Sequence, residues 1–182
     1  RVIISGNTKT NDYVIRREIR TKPGDLFSQN DIIRTQRELA QLVYFNEQAF
    51  QINPIPNPAD GTVDIEYVVE EKSSDQIELS GGYGGTGIDG RGRIIGTLGL
   101  TFNNFSTKNF FKKGSWAPLP GGDGQRISIR AQTNGKFFRG YNFSFTEPWL
   151  GGKKPNSLTF WGVWNLIGNG FAPQSESFEG LR

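Results

Sequence analysis

The stretch SGGYGGTG, residues 80–87, spaces Gly82, Gly84 and Gly87 as G-x-G-x-x-G, the pattern by which a glycine loop lets backbone N–H groups cradle a pyrophosphate. That chemistry needs a strand before the loop, a helix after it and an acidic residue about twenty positions on to hold the ribose. After Gly87 the chain reads IDGRGRIIGTLGLTF, a strand pattern punctuated by glycine, and no Asp or Glu falls between Asp89 and Asp123. The spacing is therefore coincidental, and the glycines need another explanation. Other reactive constellations fail by inventory. The chain has no His and no Cys, which excludes zinc sites of the usual kind, thiol nucleophiles and Ser-His-Asp triads. Glu78 and Glu147 are isolated acids without a base or nucleophile nearby, so no enzyme, cofactor or metal is expected.

The elements that carry these glycines read as β-structure. Of 182 residues 35% are apolar, while 24 Gly and an aromatic set of 14 Phe, 5 Tyr and 4 Trp suit short strands and tight turns. No run of 18 apolar residues occurs, which excludes a spanning helix but not a spanning barrel, whose strands alternate. Residue 1 is Arg and Met is absent, so an excerpt of a longer chain is expected.

A division at Asp75 separates two unlike halves. Residues 1–75 carry 9 Lys/Arg against 12 Asp/Glu, net −3, and 3 of the glycines. The remaining residues carry 12 against 6, net +6, and 21 glycines. In the first half Val2 to Ser5 reads as a strand, and Thr10 or Asn11 caps a helix with Val14, Ile15 and Ile19 on one face. Ser28, with Asp31 three residues on, caps a second helix with Ile32, Leu39, Leu42 and Val43 at helical spacing. Strands over Ala49 to Ile55 and Thr62 to Glu71 complete a β-α-α-β-β order, with Val63, Ile65, Tyr67 and Val69 alternating in the last.

The second half reads as consecutive antiparallel strands with one apolar side. Ile77, Leu79, Gly81 and Tyr83 share a face, as do Ile94, Gly96, Leu98, Leu100 and Phe102, then Ile127, Ile129 and Ala131. Asn134-Gly135 marks a hairpin into Phe137, Tyr141, Phe143 and Phe145, and Leu158, Phe160, Trp164 and Leu166 open a fifth strand. This period fits a membrane barrel with lipid outside and water inside, and equally a soluble sandwich. Trp116, Trp149, Trp161 and Trp164 fall near strand ends, where a bilayer interface would hold an aromatic girdle; in a sandwich they would be core. In a barrel the glycines of Ser80-Gly81-Gly82-Tyr83-Gly84-Gly85 would weaken the seam where the first strand meets the last, or else relieve crowding or permit curvature. Arg126 and Arg130 alternate along a strand rather than forming a basic run, so nucleic acid is not an expected partner.

Here the residues carry a family likeness. GNTKTNDYVIRREIRTKPGD (6–25), RELAQLVYFNEQAF (37–50) and VDIEYVVEEK (63–72) resemble a polypeptide-transport-associated (POTRA) repeat. ELSGGYGG (78–85) and FTEPWLGG (145–152) resemble the first and fourth barrel strands of the BamA family of outer-membrane assembly factors. The resemblance implies an α+β POTRA domain over residues 1–75, then an all-β antiparallel partial transmembrane β-barrel over 76–182, incomplete at about five strands. It implies a bacterial outer-membrane location with the POTRA domain in the periplasm, and a role in inserting and assembling β-barrel proteins. The implied partners are unfolded outer-membrane β-barrel precursors, periplasmic accessory lipoproteins and outer-membrane lipid. The implied pairing sites are the first barrel strand, Ile77, Glu78, Leu79, Ser80, Gly81, Gly82, Tyr83 and Gly84, and a POTRA edge at Phe50, Gln51, Ile52 and Asn53, shortened by Pro54. The stretch 103–124 departs from the pattern, being far longer than an ordinary periplasmic turn. Two other functions stand beside this one: the resemblance also implies a two-partner secretion transporter of the same superfamily as an alternative, and the aromatic content fits a secreted carbohydrate-binding module.

Overall fold

The computed structural model describes residues 1–84, 93–116, 119–135 and 138–168. Gly85 and Gly87 of the glycine stretch and Phe137 of the expected apolar face lie outside these. In chain order the elements are β1 (Val2–Ser5), α1 (Asp12–Arg16), α2 (Gln29–Ala40), a 3-10 turn (Glu47–Ala49), β2 (Gln51–Asn57), β3 (Thr62–Val68), β4 (Gln76–Gly84), β5 (Arg93–Phe105), β6 (Gln125–Thr133), β7 (Phe138–Glu147) and β8 (Leu158–Ile167).

The first three strands form one sheet in the order β1-β3-β2, with β1 parallel and β2 antiparallel to β3. The alternation in β3 turns Ile65 and Tyr67, followed by Val69, toward the helices, where they meet Val14, Ile15, Leu39, Tyr44 and Phe45 in a closed core. The α2 cap is the one the spacing predicts: the Ser28 hydroxyl accepts from the Asp31 N–H at 3.3 Å. Asn11 occupies the N-cap of α1 without capping it, because its side chain is used elsewhere. Val43, expected on the buried face of α2, is exposed. The helix stops at Ala40, so the helical phase that would have carried Val43 inward is lost.

The remaining strands form a meander, β4-β5-β6-β7-β8, antiparallel throughout. Directly opposed residues share a face, and the register aligns one apolar row across all five strands. Leu79 stands opposite Leu98, Ile77 opposite Leu100, Leu100 opposite Ile129, Ile129 opposite Phe143, and Tyr141 opposite Trp164. The reverse face is polar: Glu78 and Arg130 form an ion pair at 3.1 Å across Gly99, and Thr101 with Ser128 and Thr146 with Thr159 are hydrogen-bonded pairs. A Cβ on Gly99 would sit 3.1 Å from the Glu78 carboxylate, so glycine leaves room for that pair. The apolar row stays open to its surroundings, with Leu79 83% exposed. A sandwich would bury that row between layers; here nothing among the described residues covers it.

Candidate functional site

Strand β4 is one edge of the five-stranded sheet, paired to β5 from Gln76 opposite Thr101 to Gly84 opposite Arg93. All eight residues expected to pair with a substrate strand, Ile77, Glu78, Leu79, Ser80, Gly81, Gly82, Tyr83 and Gly84, lie in it. The geometry narrows the reasons for its glycines. A Cβ on Gly82 or Gly84 would meet no described atom within 4 Å, and one on Gly81 only the Ile95 carbonyl oxygen at 3.9 Å. Gly81, Gly82 and Gly84 are not among the residues with positive φ. Among the described residues neither crowding nor a positive φ requires them, which leaves weakening or curvature of the strand as their effect. Gly81 stands opposite Gly96, a cross-strand pair without side-chain contact.

The other expected edge is differently made. Ile65 and Val69 direct their N–H groups at β1, to the carbonyls of Arg1 and Ser5, each at 2.9 Å. The even-numbered residues of β3 therefore face β2, and their partners there are Gln51, Asn53 and Ile55. The backbone groups of Ile52, Pro54 and Pro56 point away from the sheet, and of these only Ile52 has an N–H to offer. Gln51 and Asn53 are thus committed to β3. Phe50 precedes the strand and packs its ring on Phe45 at 6.1 Å, as part of the core rather than of the edge. The prolines leave an edge of acceptors with a single donor, which is how natural sheets blunt an exposed side.

The four tryptophans separate. Trp164 lies on the apolar row opposite Tyr141. Trp161 stands opposite Ser144, on the polar face, because one residue along a strand changes sides; it is a correction to the expected girdle. Trp149, in the β7–β8 turn, donates its indole N–H to Glu18 at 2.7 Å, with the Arg17 guanidinium 5.4 Å over its ring. It is therefore a contact with the first half rather than a girdle residue. Burial raises the Glu18 carboxyl above its ordinary value, while the Trp149 N–H and Arg17 work against that rise. Trp116 lies in the β5–β6 connection and donates to the Phe110 carbonyl at 3.0 Å.

Sequence reasoning missed the junction between the halves, which centres on a buried carboxylate. Asp123 accepts from the Ser106 hydroxyl at 2.7 Å, from the Asn11 amide at 2.7 Å and from the Tyr13 hydroxyl. Burial first, and then Asp123, hold the Tyr13 phenol above its usual value, so it remains a donor. Beside it Asn104, with φ of 61°, donates to the Thr10 hydroxyl at 2.8 Å and accepts from the Gly124 N–H at 2.9 Å. This left-handed residue sits where the β5–β6 register shifts between Phe102 and Phe105, so the bulge aims a side chain at the first half. Signs of this were available only as isolated polar residues; their partners lie about a hundred positions away in the chain.

Comparison with known proteins agrees with this arrangement. The family model described as POTRA, surface antigen variable number repeat, matches residues 1–72. The chain is 35% identical over 84 residues to the outer membrane protein assembly factor BamA of Neorickettsia risticii, covering 46% of this chain and 11% of that protein. It is 30% identical over 126 residues to BamA of Nitratidesulfovibrio vulgaris, covering 65% and 14%. The crystal structure of BamA from Haemophilus ducreyi lacking POTRA domains 1–3 superposes with a TM-score of 0.68 at 21% identity, over 93% of this chain and 27% of that one. CdiB from Acinetobacter baumannii shares the fold less closely, with a TM-score of 0.54 at 15% identity over 92% of this chain and 28% of that one. The chain spans only a small part, 11% and 14%, of the length of these two curated relatives. A POTRA domain leading into a five-stranded antiparallel sheet is the arrangement this chain shares with outer-membrane protein assembly factors of the BamA type.

Proposed function

We propose that this segment serves the insertion of β-barrel precursors into the outer membrane, with β4 as the template on which an incoming strand pairs. The observation that carries this is the sheet edge at β4, whose glycines answer to neither crowding nor a positive φ. In lipid each unsatisfied backbone polar group costs several kcal/mol, so a strand can enter only if its N–H and C=O groups are paired as it does so. A first strand that parts readily from its closing partner supplies such a row, and hairpins then accumulate by β-augmentation. In this reading the apolar row faces acyl chains, the Glu78–Arg130 face lines a watery interior, and the first half lies in the periplasm. The role is mechanical: pairing uses main chain, and no catalytic group is called for. Accessory lipoproteins would bind away from the blunted β2 edge, which offers one N–H.

The alternative of a two-partner secretion transporter shares the POTRA-then-barrel order. It differs in prediction, since a secreted passenger crosses the pore without joining the sheet. Single cysteines at Glu78, Ser80 and Gly82 in the full-length protein, combined with a precursor carrying one cysteine in its terminal strand, separate the two. Disulfides in one register, stepping with the position chosen, support augmentation; absence of cross-links or scatter over all registers refutes it.

A further inference from the structure

The β5–β6 connection ends in an aromatic and basic tip that strand pairing does not use and that meets the junction through Lys108, whose ammonium lies 4.7 Å over the Tyr13 ring. Phe110 is its centre, with ring centroids 5.0 Å from Trp116, 5.2 Å from Phe111 and 6.5 Å from Phe105. The tip is built by its own hydrogen bonds. Trp116 donates to the Phe110 carbonyl, the Ser115 hydroxyl donates to the Asn109 carbonyl at 2.6 Å, and the Asn109 N–H donates to the Ser106 hydroxyl at 3.1 Å. That scaffold holds apolar surface outward: Phe111 is 91% exposed, and Phe110 and Trp116 are exposed as well. Lys108, Lys112 and Lys113 are exposed around it, and no acid occurs between Asp89 and Asp123.

The register shows which side of the sheet this tip occupies. Phe105 stands opposite Gln125, two residues before Ile127, so it has the parity of the apolar row. Phe110 packs on Phe105, and the Gln125 side-chain carbonyl accepts from the Thr107 N–H at 2.8 Å. The tip therefore continues the apolar row at the end of the sheet nearest the first half. Rings beside lysines at the edge of an apolar band match the boundary between acyl chains and head groups.

We propose that residues 107–116 dock on the periplasmic leaflet of the membrane, with Phe110, Phe111 and Trp116 at the level of the head groups and Lys112 and Lys113 on anionic phosphates. The tip would hold the periplasmic rim of the sheet, and through the Lys108–Tyr13 contact the first half, at a fixed depth. This rests on the reading that the apolar row faces lipid.

The test places an environment-sensitive fluorophore on a single cysteine, Phe111→Cys or Leu98→Cys, in the full-length, otherwise cysteine-free protein. Each is reconstituted in vesicles of phosphatidylcholine, alone or mixed with phosphatidylglycerol, carrying nitroxide lipids labelled near the head group or deep in the chain. The expected result is quenching at Phe111→Cys by the shallow label, stronger with phosphatidylglycerol, and quenching at Leu98→Cys by the deep label. Adding Lys112→Gln with Lys113→Gln should shift the tip toward water roughly 30-fold in the anionic vesicles, at about 1 kcal/mol per basic residue. An unquenched Phe111 probe beside a quenched Leu98 probe overturns the docking alone. Quenching indifferent to lipid charge and to the lysine substitutions overturns the assignment to anionic head groups. If neither probe is quenched, the lipid-facing reading beneath both falls.

Discussion

Replacing Gly81 and Gly82 with valine tests why the first strand is weak. Valine has room at both sites, since a Cβ at position 82 meets nothing within 4 Å and one at 81 only the Ile95 oxygen at 3.9 Å. The change therefore acts on strand strength without a clash. Host studies span about 1 kcal/mol between glycine-like and β-branched residues in strands. A valine side chain in place of Gly81 would also gain neighbours along its face at Leu79 and Tyr83, where Gly81 opposite Gly96 now gives none. Together the two substitutions should favour the paired state of β4 by about 2 kcal/mol, lowering the population of a parted seam roughly 30-fold. The assay is the rate of precursor insertion into proteoliposomes by the full-length protein, with Gly162→Val as control. Gly162 is a strand glycine with the same empty surroundings, placed in β8. Strong slowing in the double variant with little change in the control is the expected outcome. Unchanged insertion, or equal slowing by Gly162→Val, would refute the argument that weakness at β4 itself is what matters.

Asp123→Asn turns one accepting oxygen of the junction into a donor facing either Ser106 or the Asn11 and Tyr13 pair, and should cost about 2 kcal/mol, read as faster amide exchange at Asn11, whose N–H now bonds the Gly122 carbonyl. Burial pushes the Glu71 carboxyl upward, but hydrogen bonds from Thr10, Thr8 and Lys9 overcome that and hold its value at about 2, against an ordinary 4.5. A depressed folded value means its contribution is whole above about pH 4.5 and is lost as pH falls toward 2, so Glu71→Gln should lower stability at neutral pH and flatten the acid limb of a denaturation profile. Solvent screening at this partly exposed site limits that contribution to about 1–2 kcal/mol. Pro54→Val with Pro56→Val restores two outward N–H groups on β2 and should promote edge-to-edge association, seen as a rise in sedimentation coefficient; an unchanged value would show that the prolines are not what protects this edge.

Much of this fold is legible because the pattern is local. The period of two in β3 and β5 to β8, the Ser28 cap and the Asn134-Gly135 turn each depend on residues a few positions apart. The side of Trp161 is legible in the same way, since the alternation of Leu158, Phe160, Trp164 and Leu166 leaves it on the other face; grouping it with the girdle by residue type overlooks that parity, and the register opposite Ser144 bears the alternation out. Phe50 escapes for a related reason, since the strand begins one residue later and leaves that ring to the core. The junction is illegible because Asn11, Tyr13 and Asp123 become neighbours only when both halves are folded, and polar residues in loops carry no periodic signal. Trp149 shows the same limit: its type suggests an interface with lipid, and its partner is Glu18.

A lipid-facing sheet must present its two faces to different environments, and spin labels placed one at a time along β6 and β7 of the reconstituted protein probe this directly. Labels at Ile129, Ala131, Tyr141 and Phe143 should be accessible to oxygen dissolved in the bilayer, and labels at Ser128, Arg130 and Asn142 to a water-soluble nickel chelate, in strict alternation. Shielding of the first set from both reagents, with a protein that stays monomeric in buffer without detergent, would mean the rings are packed inside a soluble sandwich and would contradict it.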